Sequence, residues 1–184
     1  KIYEKLDYNP QPENYSSEVP WTVQQQISAT NGIHYGDRVG KLKHYPIYEL
    51  PVPNTSKDGL FLDIGCGWGR WLVAAKNKGY TPIGIDLRLE FCQSSRMVLS
   101  DLGMNGYTVV ADLENIPFKD NIFDLIWSFS VIQHTHYRRL TNCLNHINRI
   151  LSPTGFTRIE FPNKKGLRNR ISNVKYSESF KDDY

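Results

Sequence analysis

Apolar and polar positions divide the chain into stretches of different texture. Residues 1–58 hold no sustained period. Pro10 and Pro12 interrupt a polar arm that runs to Glu18, Pro20 opens a helix-compatible run from Trp21 to Ala29, and Asn31-Gly32 stops it. A second short helix is predicted from Gly36 to Tyr45, ahead of Pro46; Pro51, Pro53, Asn54, Ser56 and Gly59 then mark a linker. From Leu60 the pattern changes, and short apolar runs alternate with longer segments of helical period. The runs Leu60 to Ile64, Pro82 to Asp86, Tyr107 to Ala111, Phe123 to Phe129 and Phe156 to Phe161 predict strands. Helices are predicted from Gly69 to Asn77, from Leu89 to Leu102 and from a Thr135 cap to Leu151, with Gly79, Gly103 and the turn Ser152-Pro153-Thr154-Gly155 as their stops. Strand alternating with helix predicts an α/β fold whose sheet is mostly parallel, with right-handed crossovers.

The first strand leads directly into Asp63-Ile64-Gly65-Cys66-Gly67-Trp68-Gly69-Arg70. Glycine at these places allows positive φ and lets a ligand approach the main chain where a Cβ would clash. The N–H groups that open the next helix then face that ligand. A dinucleotide fingerprint reads G-x-G-x-x-G, whereas here the spacing is G-x-G-x-G and Arg70 stands where the dinucleotide glycine would fall, which argues against NAD. Ligands of open parallel sheets bind beyond the carboxyl ends of the strands. Four such ends carry suitable groups: Asp63 with Gly65, Cys66, Gly67 and Gly69; Asp86 with Leu87; Asp112 with Leu113; and the loop from Ser128 to His134.

The glycine segment resembles motif I of the class I S-adenosylmethionine-dependent methyltransferases: an acid, any residue, then G-x-G-x-G. Ile116-Pro117-Phe118 with Asp120, Phe123 and Asp124 is similar to that family's L-P-F-x-D-x-x-F-D stretch, and the resemblance covers roughly Leu60 to Phe161 in the correct order. It implies a Rossmann-like doubly wound sheet with helices on both faces and S-adenosyl-L-methionine as cofactor. The glycine turn would hold the methionyl end, Asp86 the two ribose hydroxyls, Asp112 the adenine amino group and Leu113 the adenine face, with Ser128 at the loop beside the methyl group. The family's fold has two further strands, for which residues 163–184 offer no apolar period. The division expected is therefore an N-terminal arm with lid helices over 1–58, a cofactor-binding core over 59–162 and a basic loop over 163–184. A missing C-terminal part would complete the sheet, because a bare edge strand is a liability.

Composition narrows the class without adding to the chemistry. At 40% hydrophobic and 22% charged residues the 184-residue chain has globular proportions and length for one α/β domain. It contains no run long enough for a membrane helix and no signal-peptide pattern, so a cytoplasmic location is expected. Cys66, Cys92 and Cys143 are widely spaced and odd in number, fitting neither a disulfide framework nor a metal pair. A net charge of +3 does not by itself imply nucleic acid, although Lys164, Lys165, Arg168 and Arg170 gather near the C-terminus.

Methyl transfer from a sulfonium needs alignment and exclusion of water, and a base only where the acceptor must lose a proton. His134 is the candidate base; His136 is a weaker one, and the pair lacks a third ligand for a metal. The absence of an N-P-P-Y type motif or a Pro-Cys pair after the fourth strand disfavours adenine, glutamine or cytosine as acceptor. A small-molecule methyl acceptor is the leading expectation. RNA methylation, a non-catalytic cofactor-binding module of a longer protein and, distantly, a nicotinamide-dependent dehydrogenase are the alternatives. Tyr8, Tyr15, Trp21, His34, Tyr35, Tyr45 and Tyr48 suit either a lid or ordinary packing. Neither the methylated atom nor the oligomeric state is fixed by the sequence.

Overall fold

The apolar pentapeptide Leu60–Ile64 forms the central strand β1, and its neighbours explain its composition. A computed structural model describes residues 9–30, 35, 37–54 and 58–161. In chain order it contains α1 (Trp21–Thr30), β1 (Leu60–Ile64), α2 (Arg70–Asn77), β2 (Thr81–Asp86), α3 (Leu89–Asp101), β3 (Tyr107–Val110), β4 (Phe123–Phe129), a 3-10 turn (Ile132–His134), α4 (Tyr137–Ile150) and β5 (Leu151–Glu160). The strands form one sheet in the order β3-β2-β1-β4-β5, and every adjacent pair is parallel. The doubly wound α/β fold expected from the sequence is the fold observed.

Burial follows strand position. β1 and β4, inside the sheet, are covered on both faces and are almost continuously apolar, as parallel strands are. β3 and β5, at the edges among the described residues, alternate or expose their side chains. The pleat sorts the core into two clusters. Phe61, Leu125 and Trp127 face α2, α3 and the N-terminal segment through Leu72, Val98, Val23, Ile27 and Leu50. Leu62, Ile64 and Ile126 face α4 through Ile147 and Ile150.

Most boundaries fall within two residues of the sequence reading, and the exceptions have local causes. The helix expected over Gly36 to Tyr45 does not form: residues 37–45 are turns, with Gly40 at φ +82°. The cause is Gln24, fully buried on α1. Its Oε1 accepts from Gly40 N (2.7 Å) and Leu42 N (3.3 Å), so these amides serve a side chain instead of a helix. Its Nε2 donates toward Tyr15 Oη, Ser17 Oγ and the carbonyls of Val19 and Leu42. The last helix is capped by His136, whose Nδ1 accepts from Arg138 N (3.3 Å), and not by Thr135, which ends the preceding 3-10 turn. β5 starts earlier than expected. Leu151 pairs with Phe123 and Phe156 with Leu125, so Ser152 to Gly155 make their turn as an excursion opposite the single residue Asp124.

The Ile116-to-Asp124 stretch gains a physical reading. Arg149 of α4 donates to the carbonyls of Phe118 (2.8 Å) and Ile116 (3.0 Å) and to Asp120 Oδ1 (2.6 Å). Asp124 Oδ2 accepts from Leu60 N (2.8 Å) and fixes the start of β1. The basic loop over 163–184, the arm before residue 9, His34 and the Asn31-Gly32 stop lie outside the described residues.

Candidate functional site

Chain order reverses at β1, so the carboxyl ends of β1 and β4 leave a crevice between their diverging connections. A cleft of about 860 Å³ occupies that place, reaching from Asp86 and Asp112 past the glycine turn to Phe129 and His134. The turn is built on left-handed backbone, with φ +73° at Gly65, +52° at Gly67 and +94° at Gly69. Gly65 N and Cys66 N donate to Ile85 O at 2.8 and 3.0 Å, which ties the turn to β2. A Cβ on Gly65 would lie 2.3 Å from Val131 Cγ2, and one on Gly69 would lie 2.9 Å from Ser95 Cβ on α3. Both glycines are therefore required by close approach as well as by φ.

Asp86 joins the two loops around the cleft. Its Oδ2 accepts from Gly67 N (3.1 Å) and its Oδ1 from Arg88 N (3.0 Å). An ionised carboxylate has about four acceptor positions, so each oxygen keeps capacity for a ligand hydroxyl. Burial raises the pKa of Asp86, and the N–H groups of Arg88 and Gly67 oppose that rise. Asp112 and Leu113 line the same cleft, where Asp112 Oδ1 accepts from Glu114 N (3.1 Å). Arg139 of α4 reaches across to Glu114 at 2.7 Å and closes that end.

Several expected residues sit differently. Gly65, Cys66, Gly67, Asp86, Leu87, Asp112, Leu113 and His134 line the cleft, whereas Asp63, Gly69 and Ser128 lie behind its wall. Ser128 is 1% exposed, and Phe129 and Ser130 form the surface in its place because the pleat turns it away. Cys66 is nearly buried; its hydrogen bond with the Cys92 thiol, and then burial, hold its pKa well above the ordinary range, so it is no nucleophile. His134 is exposed at the mouth with its pKa lowered by partial burial, which keeps the ring neutral at pH 7. His136 is engaged as a cap. Among the described residues no group of three or more His, Cys, Asp or Glu could hold a metal ion.

Asp63 has a separate electrostatic role beneath the turn. It is 1% exposed, and neither carboxylate oxygen accepts a hydrogen bond among the described residues. Burial raises its pKa well above the usual carboxylate value, with Arg70 opposing. The unfolded chain ionises Asp63 near pH 4 while the fold retains the proton, so this group's stabilisation is complete at lower pH and is lost as pH rises. Asp63→Asn is therefore expected to melt above the wild type at pH 7, with the gap narrowing as pH falls through 4. Thermal unfolding at several pH values measures this.

Sequence reasoning gave no role to Arg70, Phe91 or Arg139, and none to Val131 beyond its place in the Ser128-to-His134 loop; all four line the cleft. Arg70 lies 4.6 to 5.6 Å from the ring centroids of Trp71, Phe129 and Tyr48. Its position as the first helical residue after the last glycine was the available signal. The approach of Val131 to Gly65 had none, because it joins residues far apart in sequence.

A glycine turn after the first strand, an acid closing the second and a cleft at the switch point define a nucleotide-cofactor-binding domain of the doubly wound class. Within that class the chain belongs to the methyltransferase-domain family, whose model matches residues 61–155, just over half of the sequence. It is 29% identical over 125 residues to malonyl-[acyl-carrier protein] O-methyltransferase of Salmonella typhimurium, covering 65% of this chain and 47% of that protein. It is 34% identical over 115 residues to the Mus musculus protein named "Probable tRNA methyltransferase 9B", covering 61% of this chain and 24% of that protein. In fold it resembles an S-adenosyl-L-methionine-dependent methyltransferase structure from Methanococcus maripaludis, with TM-score 0.56, 22% identity, and coverage of 90% of this chain and 73% of that one. The chain spans about half the length of curated relatives it matches, 45% and 51% for two Methanocaldococcus jannaschii proteins. No helix among the described residues is long and apolar enough to cross a membrane.

S-adenosyl-L-methionine is the cofactor that family membership implies, and the donor set fits it. Asp86 offers spare acceptor positions for a diol, and the turn is shaped where a Cβ on Gly65 would strike Val131.

Proposed function

We propose that this chain is the cofactor-binding part of an S-adenosylmethionine-dependent methyltransferase that acts on a small-molecule acceptor. The observation that carries the reading is one continuous cleft. Its β2 and β3 end offers Asp86, Asp112 and Leu113 to a nucleoside, and its β4 end, at Phe129, Ser130 and His134, extends past the glycine turn. At about 860 Å³ it stands in the upper part of the ~300–1,000 Å³ range of ligand pockets, with space for a nucleoside and a small second molecule.

Asp86 would accept from both ribose hydroxyls, Asp112 from the adenine amino group, and Leu87 and Leu113 would cover the base. Gly65, Cys66 and Gly67 would present main chain to the methionyl end, with Gly69 opening the helix and Asp63 placing carboxyl oxygens below. The bound cofactor supplies the activated methyl group. The residues at the β4 end, among them Ser130 and Val131, align the acceptor and exclude water, and Ser128 supports that wall from behind.

His134 would take the acceptor proton where the nucleophile is a hydroxyl. Because burial keeps it neutral, it can accept a proton at pH 7 and below its usual midpoint of about 6.5. His134→Ala is expected to leave affinity for S-adenosylhomocysteine within about twofold and to lower turnover by ~10²-fold or more. Unchanged turnover on the true acceptor would remove the assignment.

Isothermal titration with S-adenosylhomocysteine, followed by methyl-transfer assays over metabolite pools, tests the whole reading; absence of binding would overturn it. RNA is the second reading, favoured by the 34% identity to the tRNA methyltransferase 9B and by Lys164, Lys165, Arg168 and Arg170. RNA affinity that falls steeply with salt would select it. Tight cofactor binding without transfer to either pool would instead indicate a binding module.

A further inference from the structure

Trp68 occupies an unusual place in the glycine turn, between two residues in left-handed conformation, Gly67 at φ +52° and Gly69 at +94°. A Cβ at Gly67 would meet nothing within 4 Å, so packing at that residue does not hold this part of the turn. Yet Trp68 is only 3% exposed while lining the cleft. Its cover comes from a distant part of the chain. The Tyr45 ring stacks on Trp68 with centroids 6.3 Å apart and planes 19° from parallel. Tyr45 Oη donates to Asp101 Oδ2 at 2.7 Å, and Asp101 is the last residue of α3, the helix that begins just after Asp86.

We propose that Tyr45 is a positioning residue for the cofactor: its ring, tied down by Asp101, clamps Trp68 and so fixes the turn that receives the methionyl end. The inference rests on the cofactor reading above. Tyr45 is itself held firmly. Leu42 on one side is bound to Gln24, and Leu50 on the other is fully buried in the core between the sheet and α2. The N-terminal segment thus braces the turn from behind, and removing the brace releases backbone that the cofactor must then order at its own cost. Burial, reinforced by Asp101, raises the Tyr45 pKa, so the phenol stays a donor throughout the working pH range.

Titration of the full chain with S-adenosylhomocysteine tests this. Tyr45→Ala is expected to weaken binding about 10-fold, and Tyr45→Phe, which keeps the ring and loses only the hydrogen bond, about 2- to 3-fold. Val23→Ala, a core truncation on α1 in the same N-terminal segment, serves as the stability control. It is expected to lower the melting temperature while leaving the affinity within about 2-fold of the wild type. Wild-type affinity in Tyr45→Ala would overturn the proposal, as would equal weakening by Val23→Ala at matched loss of melting temperature. A wild-type protein that does not bind S-adenosylhomocysteine would overturn the cofactor reading itself.

Discussion

Asp86→Asn is expected to lower affinity for S-adenosylhomocysteine by about 100-fold, close to 2.7 kcal/mol. The carboxylate accepts from Gly67 N and Arg88 N in the apo fold. An asparagine can present its oxygen to only one of them. Its NH₂ then faces the other N–H, donor against donor, and no acceptor remains for the second ribose hydroxyl. Hydrogen bonds to a charged group contribute ~1.5–3 kcal/mol each, and losing one with its charge accounts for the expected size. The change should appear in the dissociation constant by calorimetry together with a fall of a few degrees in melting temperature, because the facing donors cost the empty fold one of the two hydrogen bonds that the carboxylate makes. Affinity within about threefold of the wild type would refute the role assigned to this residue.

Gly65→Ala is expected to lose both stability and cofactor binding. An L residue at φ +73° costs ~1–2 kcal/mol, and the new methyl would stand 2.3 Å from Val131 Cγ2 and 2.8 Å from Cγ1. One of the two elements must move. A total near ~3 kcal/mol corresponds to a fall of roughly 6–12 °C in melting temperature for a domain of this size. Two further variants separate the components. Gly103→Ala, at φ +65° with open space around its Cβ, should show the conformational cost alone. Adding Val131→Ala to Gly65→Ala should recover the steric part and leave a deficit close to that of Gly103→Ala. Equal melting of the double and single variants would mean that Val131 is not what confines Gly65.

A linear pattern carries only those interactions that neighbours in sequence share. β1 and β4 are legible to the residue because strands covered on both faces are almost continuously apolar, and neighbours in sequence share that property. That Gly67 and Asp86 meet is legible because a turn and the acid that braces it are separated by one helix and one return strand. Ser128, expected at the cleft, is buried behind it, since a loop motif does not say which parity of the strand faces the opening. The helix expected over Gly36 to Tyr45 failed for a different reason. Its amide groups are claimed by Gln24, 16 residues before Gly40, and local propensity carries no record of such a claim. Val131 and Tyr45 belong to the same category: their importance lies in pairs, Gly65 with Val131 and Trp68 with Tyr45, that exist only after folding.

The carboxamide of Gln24 has no chemical substitute at its position. Glutamate would bring two acceptors to a ring that includes the Val19 and Leu42 carbonyls, and leucine would take the acceptor away from the Gly40 and Leu42 amides. A segment that reads in sequence as an arm with lid helices is therefore built into the globule by a two-sided side chain. A minimal fragment cut at residue 59 would uncover Val19, Val23, Ile27 and Leu50 together with the sheet face beneath them, trading a folded unit for a sticky one.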